Sequence, residues 1–315
     1  MYRRDFTRLT AGLLAGLALP MPALAQGSLR VVISEGPSLE NLPLLLALQR
    51  LAKAGTSVDV TIVADEDAVF GVVTSGAADM GVGTPYDAIR NQQAPLRVIG
   101  QSTRVAFVPV ATAEYASVEA LDGASVLLHA PGSATETMAN RLERAFGIRL
   151  GERKYLAGSE NRRRALQNGE AAFTLLDFSN YVSIELESPG RFRAFPLPEI
   201  EASDEVVFAS QAALNSNREV IAATVLALQS VWKDLETRPD VIEAELGATT
   251  LAGDLPADLV ATLTDQVVDA MSFGMFPAAN VEPTTIAQAD LDWYLPGLSV
   301  APGSFWDFAV AQTKG

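Results

Sequence analysis

The run Met80-Gly81-Val82-Gly83-Thr84-Pro85 is the stretch that leaves this chain least freedom. Its first four residues are apolar and nearly bare of side chain, which suits a buried strand lying close to neighbouring backbone. Thr84, Pro85 and Asp87 then place a hydroxyl at the N-cap, proline at the first helical position and an acid at the third. Those three together start a helix. Strand therefore passes into helix with almost no loop. In open α/β sheets ligands sit at such strand carboxyl ends, and a helix N-terminus there offers unpaired N–H groups.

The same alternation runs along the chain. Strands are expected at Leu29–Ile33, Val58–Ala64, Met80–Gly83 and Leu96–Gly100. Between them lie helical patterns. One follows a turn at Gly36-Pro37, keeps Leu42, Leu45, Leu46, Leu48 and Leu51 at helical spacing, and stops at Gly55. Another is capped by Asp67. This order implies a parallel sheet with helices on both faces, and Phe107–Ala111 is expected to extend it. The pattern then restarts with a strand at Ser125–His129 and a helix from Ser133 whose apolar face is Met138, Leu142 and Phe146, ended by Gly147. A helix capped by Ser159 and a strand at Ala171–Phe178 follow. After a strand at Val206–Ala209 the chain turns mostly helical, over Glu219–Leu235, Val241–Leu246, Pro256–Met271 and Ile286–Leu291. Trp306, Phe308 and Val310 are expected to pack back on the first unit.

Two crossings, near Phe107 and near Val206, make the expected architecture α/β with two lobes. Each lobe is a mainly parallel sheet flanked by helices. One holds residues 26–106 plus 207–315, the other residues 107–206. The cleft between such lobes is a preferred place for a small molecule.

Composition removes several function classes. Net charge is −15, although residues 1–25 are net positive. So acidic a body argues against nucleic acid, whose phosphates need clustered Lys and Arg. The absence of cysteine rules out disulfides, thiolate chemistry, zinc–cysteine sites and iron–sulfur clusters. His129 is the only histidine, which rules out a multi-histidine metal site. No cofactor is expected. Residues 1–25 form an expected export signal: Arg3-Arg4-Asp5-Phe6 precede an apolar run from Ala11 to Leu19, and Ala23-Leu24-Ala25 carries small residues at the cleavage positions. Paired arginines before Phe6 resemble a twin-arginine signal, and the general and twin-arginine routes both stay open. The mature chain, from Gln26, is expected to be a periplasmic monomer.

The candidate site residues carry two readings each. Ser38, Thr84 and Ser133 precede helices: they are caps worth about 1 kcal/mol apiece, or caps whose neighbouring N–H groups also bind ligand. Arg104 is a surface residue or a bidentate clamp on a carboxylate or sulfonate. Asp87 is a favourable charge on the helix dipole. Asp177, after Leu175-Leu176, is a partly buried carboxylate that needs a partner, and a ligand amine would serve. Phe107, Phe178 and Tyr181 stack on a planar ligand or belong to the core. Arg162-Arg163-Arg164 is read as a solvated helix face, and His129 as structural.

Four motifs in order, Ser38-Leu39-Glu40-Asn41-Leu42-Pro43, Asp79-Met80-Gly81-Val82-Gly83-Thr84-Pro85, Pro131-Gly132-Ser133-Ala134-Thr135 and Leu175-Leu176-Asp177-Phe178-Ser179-Asn180-Tyr181, resemble a known family. It is the nitrate/taurine/sulfonate group of periplasmic binding proteins for ABC importers, also described as NMT1/THI5-like. The resemblance covers residues 29–310. It implies two α/β lobes closing on a small ligand that is handed to a membrane permease. It also implies ligand-facing roles for Ser38, Asn41, Thr84, Ser133 and Thr135, and for the loop after the 171–178 strand with Asp177 and Phe178. The family often has an aromatic residue followed by Glu-Pro where this chain has Asp177-Phe178-Ser179, so the ligand stays open. A small organic anion, sulfonate or carboxylate, is favoured by the helix starts and Arg104. A heteroaromatic vitamin precursor of pyrimidine type is favoured by Asp177 and the aromatics. Pyrimidine synthases of the same fold family depend on a cysteine-rich motif, which this chain lacks, and a non-catalytic carrier is the expected function.

Overall fold

The computed structural model describes residues 27–34, 38–63, 66–195, 200–246, 248, 266–267, 269–271, 273–277 and 281–312. The export signal, the Gly36-Pro37 turn and most of the 256–271 helix lie outside the described residues; Asp67, expected as a cap, lies inside helix α2 (Glu66–Thr74).

Two five-stranded sheets organise the chain. The first is built from β1 (Ser28–Ser34), β2 (Ser57–Val63), β3 (Met80–Gly83), β4 (Leu96–Arg104) and β10 (Ser203–Ser210) in the order β2-β1-β3-β10-β4. The second contains β5 (Val108–Thr112), β6 (Val126–Leu128), β7 (Arg153–Tyr155), β8 (Phe173–Leu176) and β9 (Phe192–Ala194) in the order β7-β6-β8-β5-β9. Pairing is parallel within β2-β1-β3 and β7-β6-β8. Each sheet also takes one strand against the grain: β10 is antiparallel to β3 and β4, and β5 is antiparallel to β8 and β9. These two strands follow the crossings, so each arrives from the far sheet with its direction already set. Phe107–Ala111 therefore does not extend the first sheet as the pattern suggested. β5 enters the middle of the second.

Alternation of side chains divides each sheet into two packed faces. In the first sheet Val31, Ile33, Met80, Val82 and Val207 join helix α1 (Leu42–Lys53) and helix α8 (Arg218–Thr237) in one cluster. Val32, Val98, Val206 and Phe208 face the opposite way, onto α2 (Glu66–Thr74), α3 (Pro85–Arg90) and α10 (Pro283–Tyr294). Gly81 shows why a glycine stands in β3. A Cβ there would lie 2.7 Å from Val69 Cγ1 and 3.0 Å from the Val32 carbonyl oxygen. Trp306 bridges to Val98, so the C-terminal stretch does pack on the first sheet. In the second sheet Phe173 and Leu175 face α4 (Ala134–Phe146), while Leu176 faces α6 (Phe178–Glu187).

Local helix signals were largely met. Thr84 Oγ1 accepts the Tyr86 N–H, and Ser133 Oγ accepts the Glu136 N–H. Gly147 ends α4 in the left-handed region at φ 66°, where glycine has no Cβ to clash. Other expectations are corrected. Helix α1 starts at Leu42 with Asn41, not Ser38, at the N-cap. Ser159 lies inside α5 (Ser159–Gln167), whose cap position is Gly158. Phe146, placed on the buried face of α4, is 37% exposed. The strand expected to reach Phe178 ends at Leu176, and what was expected as a loop is helix α6.

The crossing segments run side by side. Arg104 pairs with Ser203, and the Val105 N–H donates to the Ala202 carbonyl at 2.9 Å. The return strand thus joins the first sheet from Ser203 onward. Helix α10 braces this pair. Its Asp290, fully buried, accepts the Ser203 N–H at 2.6 Å and the Ser203 hydroxyl at 3.2 Å. Tyr294 Oη donates to the Ser203 carbonyl at 2.7 Å.

Candidate functional site

A cavity of about 490 Å³ opens between the two sheets. Its walls come from both. Thr84, Tyr86 and Arg90 belong to the start and body of α3, and Asp204 and Glu205 to the beginning of β10. Tyr294 closes the end of α10. From the other sheet come Phe107, the His129–Thr135 turn leading into α4, and Arg162 of α5.

The turn before α4 is held from within. Ser133 Oγ takes the Glu136 and Ala130 N–H groups, each at 3.4 Å, and Thr135 Oγ1 takes the His129 N–H at 2.9 Å. The two hydroxyls also bond each other at 2.9 Å. Glu136 reaches back past the cap to accept the Gly132 N–H at 2.6 Å, while the Ser133 N–H donates to the Ala130 carbonyl. Burial opposes ionisation of Glu136, but the Gly132 N–H, the Tyr155 hydroxyl and Arg153 outweigh it and hold its carboxyl below the usual value. The Ala134 and Thr135 N–H groups, first in the helix, find no acceptor among the described residues and stand at the cavity wall. Such donors favour an anion.

Arg162 is the residue sequence reasoning misplaced. It is 1% exposed, not solvated. Nε and Nη2 donate to the Leu175 carbonyl at 3.4 and 3.2 Å, and Nη1 to the Leu156 carbonyl at 3.2 Å. Nη1 also lies 3.5 Å from His129 Nδ1, which accepts the Gly158 N–H at 3.4 Å. Two donors aimed at Nδ1 put the proton of the neutral ring on Nε2. Burial pushes the Arg162 pKa down to about 10, with Asp177 and Asp204 acting the other way, so the group stays cationic at neutral pH. It makes no salt bridge among the described residues. A signal for its burial was present: Arg162, Ala165 and Leu166 fall at helical spacing on the inner face of α5. Arg163 is also buried, bonded to Asn180 and paired with Glu187, and of the three arginines only Arg164 is solvated.

Of the expected site residues, the structure brings Thr84, Phe107, Ser133 and Thr135 to one cavity. The others are elsewhere. Ser38 Oγ accepts the Asn41 N–H at 3.3 Å, and Asn41, 3% exposed, donates to the Ser34 carbonyl at 3.2 Å. Arg104 is buried at the crossing, where Nε donates to the Ile200 carbonyl and Nη2 pairs with Glu201 at 3.3 Å. Asp177 caps α6: its carboxylate accepts the Asn180 N–H at 2.8 Å and both oxygens accept the Asn180 amide. Phe178 packs into the first sheet's core, 5.1 Å from the Phe273 ring. Tyr86, Tyr294, Asp204 and Glu205 carry no motif; only the fold places them at the cavity. Among the described residues no cluster of His, Asp and Glu could hold a metal, and no helix is long and apolar enough to cross a membrane.

Two sheets with crossing antiparallel strands and a shared cavity accompany a sequence match over residues 48–242 to the model described as NMT1/THI5 like. The chain belongs to the NMT1/THI5-like family. This NMT1/THI5-like protein shares the two-lobed periplasmic binding protein fold with solved structures. The aliphatic sulphonate binding protein SsuA of Escherichia coli superposes with TM-score 0.66 at 18% identity, covering 92% of this chain and 100% of that one. The ligand binding component of an ABC-type import system from Staphylococcus aureus gives 0.67 at 10% identity, over 91% and 98%. The nitrate-binding protein NrtA from Synechocystis PCC 6803 gives 0.64 at 10% identity, over 90% and 87%. No curated protein sequence matches the chain.

Proposed function

We propose that this protein is the solute-binding component of an ABC importer, capturing a small organic anion of sulfonate or carboxylate type between its lobes. Residues 1–25 export it to the periplasm. Residues 26–106 with 207–315 form one lobe and residues 107–206 the other, and the loaded protein delivers its ligand to a membrane permease. No chemical step is required. The ligand stabilises the closed form by touching both lobes. Structural relatives named for sulphonate and nitrate binding support the class.

The observation that carries the anion is Arg162: a buried cation at the cavity, without a salt bridge among the described residues, beside the open N–H groups of α4. With its Nε–Nη2 edge on the Leu175 carbonyl, Arg162 acts on a sulfonate or carboxylate as a buried positive charge rather than as a bidentate fork. A heteroaromatic, amine-bearing ligand is the second reading. It loses the support of Asp177, but Tyr86, Phe107 and Tyr294 share the cavity with Asp204 and Glu205.

A thermal-shift panel on the mature protein separates the two. A ligand at 100 times its Kd adds about 2.7 kcal/mol. Alkanesulfonates or small carboxylates are expected to raise Tm in the wild type and not in Arg162→Gln. Shifts only with heteroaromatic amines would assign the second reading, and no shift with any sulfonate, carboxylate or nitrate would refute the anion.

A further inference from the structure

Beside Arg162 at the cleft stands the chain's one histidine, His129. It is the first residue after β6, at the carboxyl end of that strand. Three segments hold it. Its backbone N–H donates to Thr135 Oγ1 at 2.9 Å. Its ring nitrogen Nδ1 accepts the Gly158 N–H at 3.4 Å, and Arg162 Nη1 lies 3.5 Å from the same atom. Gly158 sits at φ 81° just before α5, a conformation open to glycine and rare for other residues. A Cβ there would also lie 3.0 Å from Asn161 Nδ2.

A histidine kept for packing alone would bury its ring. This residue is exposed and lines the cavity. The two ring nitrogens point in nearly opposite directions, so with Nδ1 turned toward α5 the Nε2–H is directed to the cavity side. Arg162 shapes this contact without making it. It is 1% exposed, with Nε and Nη2 on the Leu175 carbonyl and Nη1 on the Leu156 carbonyl. What it supplies is a positive charge behind the ring. A cation at Nδ1 polarises the imidazole and strengthens Nε2–H as a donor.

We propose that His129 is a specificity-determining contact of the cleft: its neutral imidazole donates Nε2–H to an oxygen of the bound anion, and Gly158 and Arg162 hold the ring in the tautomer and orientation this requires. The inference rests on the anion reading given above and adds a named donor to it. A fixed donor at this point selects ligands that bring an acceptor oxygen and rejects those that would set an N–H against it.

With a single histidine in the chain, isotopically labelled histidine gives one set of ring-nitrogen signals by NMR. At neutral pH the free mature protein is expected to show one tautomer, with the proton on Nε2. Titration with ethanesulfonate, and separately with propionate, is expected to move the Nε2 signal more than the Nδ1 signal for whichever probe binds. His129→Asn keeps an acceptor for Gly158 and Arg162 but carries nothing to the Nε2 position. It is expected to weaken binding roughly 10- to 100-fold, the loss of a hydrogen bond to a charged acceptor. His129→Gln brings an amide N–H near the Nε2 position and is expected to recover part of that loss. The residue is exposed, so both variants are expected to keep the wild-type circular dichroism. A free protein with the proton on Nδ1, an affinity unchanged in His129→Asn, or an equal loss in both variants would overturn the contact and leave the anion reading standing. Binding of neither probe to the wild type would overturn the anion reading and the contact with it.

Discussion

Asp290 is where pH is expected to act most directly on this fold. Its carboxyl is fully buried on α10 and, among the described residues, accepts hydrogen bonds from Ser203 alone, through the backbone N–H at 2.6 Å and the hydroxyl at 3.2 Å. Burial pushes its pKa up to about 7, and the two Ser203 bonds only partly oppose it. The unfolded chain titrates near 3.9. The folded state therefore holds this proton more tightly than the unfolded state. The associated stability is fully present below about pH 4 and is lost as pH rises toward and through 7. At ~1.36 kcal/mol per pH unit, the loss is about 1.5 kcal/mol at pH 5 and about 4 kcal/mol at pH 8.

Asp290→Asn removes the titration and keeps the geometry. Its carbonyl accepts the Ser203 N–H, and its amide donates to the Ser203 hydroxyl. Other carboxylates give the wild type a pH dependence of their own, so the quantity to read is the difference between variant and wild type. Urea unfolding from pH 5 to pH 8, with matching m-values, is expected to show the variant gaining on the wild type by about 2–3 kcal/mol across that range. A difference that stays flat would show that Asp290 is ionised in the fold throughout, and the burial argument would fail.

Three further outcomes are expected. Ser133→Ala with Thr135→Ala removes the cap of α4 and the acceptor for the His129 N–H. The second sheet is expected to stay folded by circular dichroism at a cost of about 2 kcal/mol, while affinity for the ligand found in the thermal panel falls; unchanged affinity would free both hydroxyls from binding. Gly81→Ala forces a Cβ against Val69 and the Val32 carbonyl, and chemical denaturation is expected to show about 1–3 kcal/mol lost to overpacking; no loss would mean α2 shifts without resistance. Phe178→Ala empties a buried ring position between α6 and the first sheet's core and is expected to cost about 3–5 kcal/mol without changing which ligand class stabilises the protein.

The local grammar of this protein is legible in its residues. Apolar runs marked β1, β3 and β8. Thr84 and Ser133 marked the starts of α3 and α4, and Gly147 marked a helix end, because caps and left-handed glycines act through bonds to residues only a few positions away. The alternating order was enough for an α/β chain folded into two units. Which sheet β5 joins, and that β5 and β10 run antiparallel, was settled by long-range packing, since side-chain alternation is the same for a strand in either direction. The same packing decided which polar residues meet at the cavity. Arg104 and Arg162 are alike in being buried and bonded to backbone carbonyls. Arg104 lies against Glu201 at the crossing, and Arg162 lies at the cavity without a salt bridge among the described residues. That difference comes from which distant segments pack beside each guanidinium, and no local pattern carries it.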